Sequence, residues 1–238
     1  MPINAEIQSA RNVVVLTGAG ISAESGIQTF RASDGLWEDH RIEDVATPEG
    51  FTKNPTLVHS FYNQRRAQLL DNVRPNAAHI ALAEFERLHT GIFTLITQNV
   101  DNLHETAGST DVWHMHGELQ KVRCMLQGSV LKWTGETSVS TECPCCAQAG
   151  TLRPHIVWFG EEPMMMEAIC NRLAQCDLFV SIGTSGNVYP AAGFMDLAAH
   201  AGARTVEVNL EPSSNAHAFD CAVYGPATEA VPRFFSQL

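Results

Sequence analysis

Gly18, Gly20 and Ala23 punctuate the run Thr17-Gly18-Ala19-Gly20-Ile21-Ser22-Ala23 with the spacing G-x-G-x-x-A. Placed directly after an apolar strand, small residues there let the backbone turn and approach a pyrophosphate, which backbone N–H groups and a helix N-terminus can hold. The chemistry they point to is nucleotide binding. A second polar set, Gln98-Asn99-Val100-Asp101-Asn102-Leu103-His104, follows another apolar run. Its amides and carboxylate can hydrogen-bond a carboxamide or ribose hydroxyls, although Asp101 or Asn102 alone would also suit a turn or helix cap. His114 and His116 lie two residues apart, on one side of the chain if it is extended. His116, just before Gly117, has the position of a general base at a strand end; as a metal pair the two histidines lack an obvious third ligand. In an ordinary dehydrogenase an acid ends a second strand about 20 residues on. Here Gly26–Trp37 is polar and turn-rich, and Glu211 in Asn209-Leu210-Glu211 is the better ribose acid. Nucleotide binding survives; plain hydride transfer loses support.

Four of the seven cysteines fall in Arg123–Leu152. A paired C-x-x-C zinc signature would be the regular pattern, but Cys124 is followed at the third position by Gln127. The second half reads Cys143-Pro144-Cys145-Cys146, with Cys143 and Cys146 at the proper spacing. Structural zinc, one per chain, held by Cys124, Cys143 and Cys146 with Cys145 or an outside group as fourth ligand, is the expectation. A module that has lost its metal is the alternative. On the helical stretch Thr56–Leu70, Tyr62 and Arg65 sit at i, i+3 and project together.

These residues need strands and helices to place them. Asn12–Leu16, Gly91–Thr97, Leu178–Ile182 and Thr205–Leu210 read as buried strands, bounded by Gly, Asn or Ser and separated by helical patterns. Asn76 reads as the N-cap of a helix carrying Ile80, Leu82, Phe85 and Leu88; Met164–Ala174 and Ala191–Ala201 read as two more. Near-continuous Val/Ile/Leu strands imply a parallel α/β sheet covered on both faces. The expected organisation is a Rossmann-like nucleotide-binding domain from residues 1–42, 71–122 and 153–238. Residues 43–70 form a helical insertion and 123–152 a small cysteine module.

The chain resembles the sirtuin family of NAD-dependent protein-lysine deacylases. The resemblance rests on Gly18–Arg31, Thr97–His104, His116–Leu119, the cysteine module, Val157–Glu161, Gly183–Ser185 and Asn209–Glu211, in that order. Gly26–Arg31, Cys143–Cys146 and Leu152–Glu161 are most similar to bacterial members of the class that removes acidic acyl groups as well as acetyl. The resemblance implies NAD as cofactor, with Gly18, Ala19, Gly20 and Ala23 at the phosphates and Gly183, Thr184, Ser185, Asn209, Leu210, Glu211 and Ala227 along the adenosine side. It puts Phe30 and Arg31 in a cofactor loop with Trp37 nearby, and Gln98, Asn99, Val100 and Asp101 around the nicotinamide. Asn99, Asp101 and His116 become the catalytic set. Val157, Trp158, Phe159 and Gly160 would receive the substrate peptide as an added strand, and Tyr62 and Arg65 an acidic acyl group. Alternation along a strand turns one of Trp158 and Phe159 inward. The implied reaction removes acetyl, and also succinyl or malonyl, from lysine, giving nicotinamide and 2'-O-acyl-ADP-ribose.

The chain has 238 residues, with 15 Lys+Arg against 26 Asp+Glu and a formal charge of −11. That balance argues against a nucleic-acid surface and suits a lysine-rich protein partner. No apolar run approaches the roughly 20 residues that span a bilayer. The N-terminus lacks the pattern of a targeting peptide, and seven cysteines without one favour metal or free thiols in a reducing cytoplasm. Competing readings are an ADP-ribosyltransferase or NAD glycohydrolase, a non-catalytic ADP-ribose sensor that would not need His116, and a dehydrogenase.

Overall fold

The computed structural model describes residues 5–28, 36–37 and 40–238. The chain runs through α1 (Ala5–Gln8), β1 (Asn12–Thr17), a ribbon of β2 (Leu36–Trp37) and β3 (His40–Arg41), α2 (Ile42–Val45), α3 (Pro48–Lys53), α4 (Pro55–Asp71) and α5 (Ala77–Leu88). Next come β4 (Ile92–Thr97), α6 (Leu103–Ala107), β5 (Val112–His114), β6 (Gly117–Cys124), β7 (Val130–Lys132) and β8 (Leu152–Ile156). The last third holds α7 (Met166–Leu173), β9 (Leu178–Ile182), α8 (Phe194–His200), β10 (Arg204–Asn209), β11 (Cys221–Tyr224) and α9 (Ala227–Phe235).

Six strands make one parallel sheet in the order β11-β10-β9-β1-β4-β5. Alternation along β1 sends Val13 and Val15 to one face and Val14 and Leu16 to the other. The first face packs on α5 and α9 through Leu82, Val231 and Phe234. The second packs on α7 and α8 through Ile169, Leu173 and Phe194. Burying such a side chain fully contributes about 1.5–3 kcal/mol, and two-sided burial is why β1, β4 and β9 are largely apolar on both faces. This is the Rossmann-like α/β fold with helices on both faces. Strand order reverses around β1, so the ligand crevice of an open α/β sheet lies at the carboxyl ends of β1, β4 and β9.

Several boundaries differ from the sequence pattern for local reasons. The expected helix at Met164 starts only at Met166, because Met165 takes a left-handed backbone, φ 61°. Ala191–Ala201 divides into a 3-10 turn, Ala191–Gly193, and α8. β5 is three residues long and β11 is half-exposed, so neither carries a strand's apolar signature.

α4 bridges the sheet's periphery to the cysteine module, built on the antiparallel strands β7-β6-β8. The helix is capped by Asn54, whose Oδ1 accepts from Leu57 N. Phe61 and Tyr62 pack with Phe51, Leu103, Ile156 and Trp158. On the module side, buried Arg66 donates from Nε to the Leu119 carbonyl at 2.8 Å and from Nη1 to the Gly135 carbonyl at 3.1 Å. Asn63 exchanges hydrogen bonds with the Thr137 backbone, and His59 Nδ1 meets Thr137 Oγ1 at 2.9 Å.

Candidate active site

A cleft of about 640 Å³ opens at the carboxyl ends of the sheet strands, within the roughly 300–1,000 Å³ usual for cofactor sites. Its first wall is the turn after β1. Gly18 N–H donates to the Ile182 carbonyl and Gly20 N–H to the Gly183 carbonyl, both at 2.9 Å. A Cβ on Gly18 would meet Gly183 O at 2.8 Å, and one on Gly20 would meet Gly183 Cα at 2.7 Å. Close packing of the turns after β1 and β9 therefore demands these glycines. Asn76, the N-cap of α5, fixes the turn from below: its Nδ2 donates to the Ile21 carbonyl at 2.8 Å and to Ser25 Oγ at 2.9 Å.

The floor is a buried polar network under low dielectric. Asn99 Nδ2 donates to the Gly18 carbonyl and to Ser22 Oγ, each at 3.2 Å. Asp101 accepts from Ser22 Oγ at 3.0 Å and from Leu103 N at 3.1 Å; burial raises its pKa against the pull of those bonds. Beneath them, His104 Nε2 meets Thr17 Oγ1 at 3.0 Å, and His79 Nε2 meets Ser22 Oγ at 3.4 Å. Burial holds both imidazoles neutral, His79 at about 4 and His104 well below its ordinary value. The floor thus carries one carboxylate and no cation. Among the described residues lining the cleft there is no Lys or Arg.

His116 stands on the opposite wall, in the turn between β5 and β6. Its Nδ1–H donates to the Gln98 carbonyl at 3.1 Å, which leaves Nε2 as the basic nitrogen. Burial lowers the pKa, partly offset by that hydrogen bond, so the ring is a neutral base at pH 7. His114 does not share its surroundings, contrary to the extended-chain expectation, because the turn separates them. His114 Nδ1 donates to the Asn99 carbonyl at 3.3 Å, and Nε2 pairs with Glu105 at 2.6 Å. Burial disfavours its charge, yet the Glu105 pair outweighs that and raises the pKa.

The third wall is Val157–Glu161, after β8. Trp158 is the inward residue, 2% exposed, and Phe159 the outward one, 46% exposed. Trp158 Nε1 donates to the Tyr62 hydroxyl at 2.9 Å. Tyr62 lines the cleft and is fully buried. Arg65, one turn further along α4, lies over the Phe61 ring at 4.5 Å and is not among the cleft-lining residues. Its charge nonetheless acts on the Tyr62 hydroxyl. Trp37 packs edge-on to Phe61 and Tyr62 at 5.0 and 5.8 Å. On the fourth wall, Asn209 Nδ2 donates to the Thr184 carbonyl at 2.8 Å, and Ser185, Leu210, Glu211 and Ala227 line the far end. Phe30 and Arg31 lie outside the described residues.

Cys124, Cys143, Cys145 and Cys146 converge with all Sγ atoms within 4.8 Å of one another. Cys124 and Cys146 are 3.8 Å apart, roughly the S···S edge of a tetrahedron built on ~2.3 Å Zn–S bonds. Cys143 and Cys145 are closer, 3.2 Å. Burial raises the Cys143 thiol pKa, but hydrogen bonds from Cys145 and from the Cys145 and Cys146 N–H groups outweigh it and bring it to about 6. Three thiols within four residues converge on a tight turn that the Ala147 N–H closes on the Cys143 carbonyl at 2.8 Å. The donor set fits zinc.

Sequence reasoning passed over Ser22, Val188, Tyr189 and Ser213, which also line the cleft. Ser22 lies inside the glycine-rich run and was the one signalled by position; the others sit in loops without a pattern.

Comparison with known proteins gives a consistent result. A model of the Sir2 family matches residues 18–190. The "NAD-dependent protein deacylase" of Pasteurella multocida is 59% identical over 94% of this chain and 97% of its own. A solved Sir2 homolog–NAD complex is 36% identical, covers 97% of this chain and 90% of that one, and superposes with TM-score 0.88. A Sir2 bound to acetylated peptide is 28% identical, with 97% and 93% coverage and TM-score 0.80.

Proposed function

The chain belongs to the Sir2 family, and on that premise we propose that it is an NAD-dependent protein-lysine deacylase whose cleft accepts acetyl and also succinyl or malonyl groups. The observation that carries the reading is one cleft joining three parts: a nucleotide-binding strand end, the neutral base His116, and the aromatic pocket of Tyr62 and Trp158. A sensor of ADP-ribose would need only the first.

In this reading NAD lies with its phosphates at Gly18, Ala19, Gly20 and Ala23, and its adenosine along Gly183, Thr184, Ser185, Asn209, Leu210, Glu211 and Ala227. Gln98, Asn99, Val100 and Asp101 surround the nicotinamide. Since the described lining holds no cation, backbone N–H groups carry the phosphates, and Phe30, Arg31 and Trp37 count among the cofactor-binding residues in this reading. The acyl oxygen of the modified lysine displaces nicotinamide from the ribose. His116 Nε2 takes a proton from a ribose hydroxyl, which attacks the resulting imidate carbon. Addition of one water then frees the lysine and leaves 2'-O-acyl-ADP-ribose. The N–H groups of Val157 and Phe159 are bonded to the His116 and Ala46 carbonyls, and that of Trp158 to Glu161. A peptide strand added here would therefore draw on the remaining main-chain groups of Val157 and Gly160. The partners are acylated lysines on proteins, the compartment the cytoplasm. No helix among the described residues is long and apolar enough to cross a membrane.

The test is incubation with NAD and acetyl-, succinyl- or malonyl-lysine peptide, following nicotinamide, acyl-ADP-ribose and the reduced cofactor's absorbance. Deacylation coupled one-to-one to nicotinamide release is expected. Nicotinamide release indifferent to the peptide would indicate a glycohydrolase.

The cysteine module supplies a separate prediction. With Cys124, Cys143, Cys145 and Cys146 as ligands, protein purified without chelators should contain close to one zinc per chain, and Cys143→Ser should lose it. Because α4 grips Gly135 and Thr137, loss of metal should loosen α4 and the module while the parallel sheet keeps its circular-dichroism signal. Metal-free protein that is folded and active would overturn the assignment.

A further inference from the structure

The Tyr62 hydroxyl is buried and, among the described residues, has a single hydrogen bond, received from the Trp158 indole N–H at 2.9 Å. An indole nitrogen can only donate, so the tyrosine oxygen is the acceptor and its own proton must point elsewhere. Among the described residues, no acceptor meets that proton, and the space beside it is the cleft. We propose that Trp158 is a positioning residue for acyl selectivity: by occupying the Tyr62 oxygen it turns the tyrosine proton into the cleft, toward the carboxylate of an acidic acyl group.

Trp158 is built to hold that direction. Its backbone N–H donates to Glu161 Oε2 at 2.9 Å. Glu161 is gripped by Arg153 through two bonds, 2.7 and 2.9 Å. The same guanidinium lies over the indole at 3.5 Å, a cation–π contact that fixes the ring plane. Phe51 closes the remaining side at 5.3 Å. A phenol hydroxyl free to rotate can spend its proton on any acceptor nearby; with Trp158 bonded to its oxygen, the proton is turned away from the indole and left for the acyl carboxylate, which can only accept. An acetyl group has no carboxylate to receive it, so the arrangement favours acidic acyl groups over acetyl.

This rests on the acidic-acyl reading above, and the test separates the two. The ratio of kcat/KM for succinyl over acetyl peptide is measured for Trp158→Phe, Tyr62→Phe, the double variant and Arg65→Met, with the KM for NAD as a check on the sheet. Trp158→Phe keeps a ring for Arg153 and removes the N–H; it should lower the ratio about three- to tenfold, the worth of one hydrogen bond. Because Trp158 acts through Tyr62, the double variant should fall no further than Tyr62→Phe. If Trp158→Phe leaves the ratio within about twofold while Tyr62→Phe and Arg65→Met lower it, the positioning role is overturned and the acyl reading stands. Additive losses also overturn it, and a ratio unmoved by all the variants overturns both. Should Trp158→Phe fail to fold, 3-benzothienylalanine at position 158, which replaces the N–H by sulfur at equal shape, carries the same test.

Discussion

Turnover of His116→Ala should fall by about 10²–10⁴-fold, the usual worth of a positioned base, while NAD still binds. The geometry separates the two effects. His116 is tied to the Gln98 carbonyl through Nδ1, whereas the Gly18–Gly20 turn is held by Ile182 and Gly183 on the other wall. Removing the imidazole leaves that wall intact. Single-turnover kinetics should show the loss after nicotinamide release, because the base acts on the ribose hydroxyl and not on the first displacement. The pH dependence follows from the sign of the shift. Burial lowers the His116 pKa, so the ring stays basic below the ordinary histidine range, and the acid limb of kcat should have its midpoint under pH 6.5. Near-normal turnover in the variant would remove His116 from the chemistry. Unfolding would make it a core histidine.

Why His116 and not His114 could be chosen from the sequence is instructive. Both histidines look alike as letters, but Gly117 follows only His116, and its φ of 86° marks the turn that swings the ring into the cleft. A Cβ at Gly117 would lie 2.1 Å from the His155 carbonyl oxygen, so the glycine is needed for β8 to approach. The strands β1, β4 and β9 were legible because two-sided burial writes a largely apolar run, and β10 through its β-branched Thr205, Val206 and Val208. β5 and β11 were not, since three or four residues on a half-covered edge write none. The glycine spacing also has a structural reason that the motif does not state: the glycines make room for the Gly183 turn. The network joining Ser22, Asn99 and Asp101 to the buried His79 and His104 spans residues more than 80 positions apart and has no local pattern. The convergence of Cys145 on its three neighbours depends on the turn closed between Cys143 and Ala147 and on β6, which ends at Cys124, and spacing alone does not write it.

Arg65→Met should cut the succinyl-to-acetyl ratio of kcat/KM at least tenfold. A guanidinium is a planar fork that matches a carboxylate with two hydrogen bonds, and a charge-assisted bond is worth roughly 1.5–3 kcal/mol, about ten- to a hundredfold. The structure gives the fork a defined base. Arg65 lies over the Phe61 ring at 4.5 Å, and its Nη1 donates to the Phe61 carbonyl at 3.3 Å. Phe61 in turn packs edge-on to Trp37 and Tyr62 at 5.0 and 5.1 Å. Methionine keeps the apolar stem that covers Phe61, so α4 should hold its place while the charge and the bond to the Phe61 carbonyl are lost. Adjacent Arg66 is the internal control on this argument. It is equally cationic, yet it is spent on the Leu119 and Gly135 carbonyls inside the protein, so Arg66→Met should lower the melting temperature without selecting between acyl groups. The selective effect is expected of Arg65, which stacks on Phe61, the ring packed edge-on to Tyr62. On the proposed reading, an acyl carboxylate entering beside Tyr62 would meet a donated proton and the Arg65 charge, while acetyl would meet neither. Equal losses for succinyl and acetyl peptides in Arg65→Met would return Arg65 to a structural role and leave the acyl pocket without its cation.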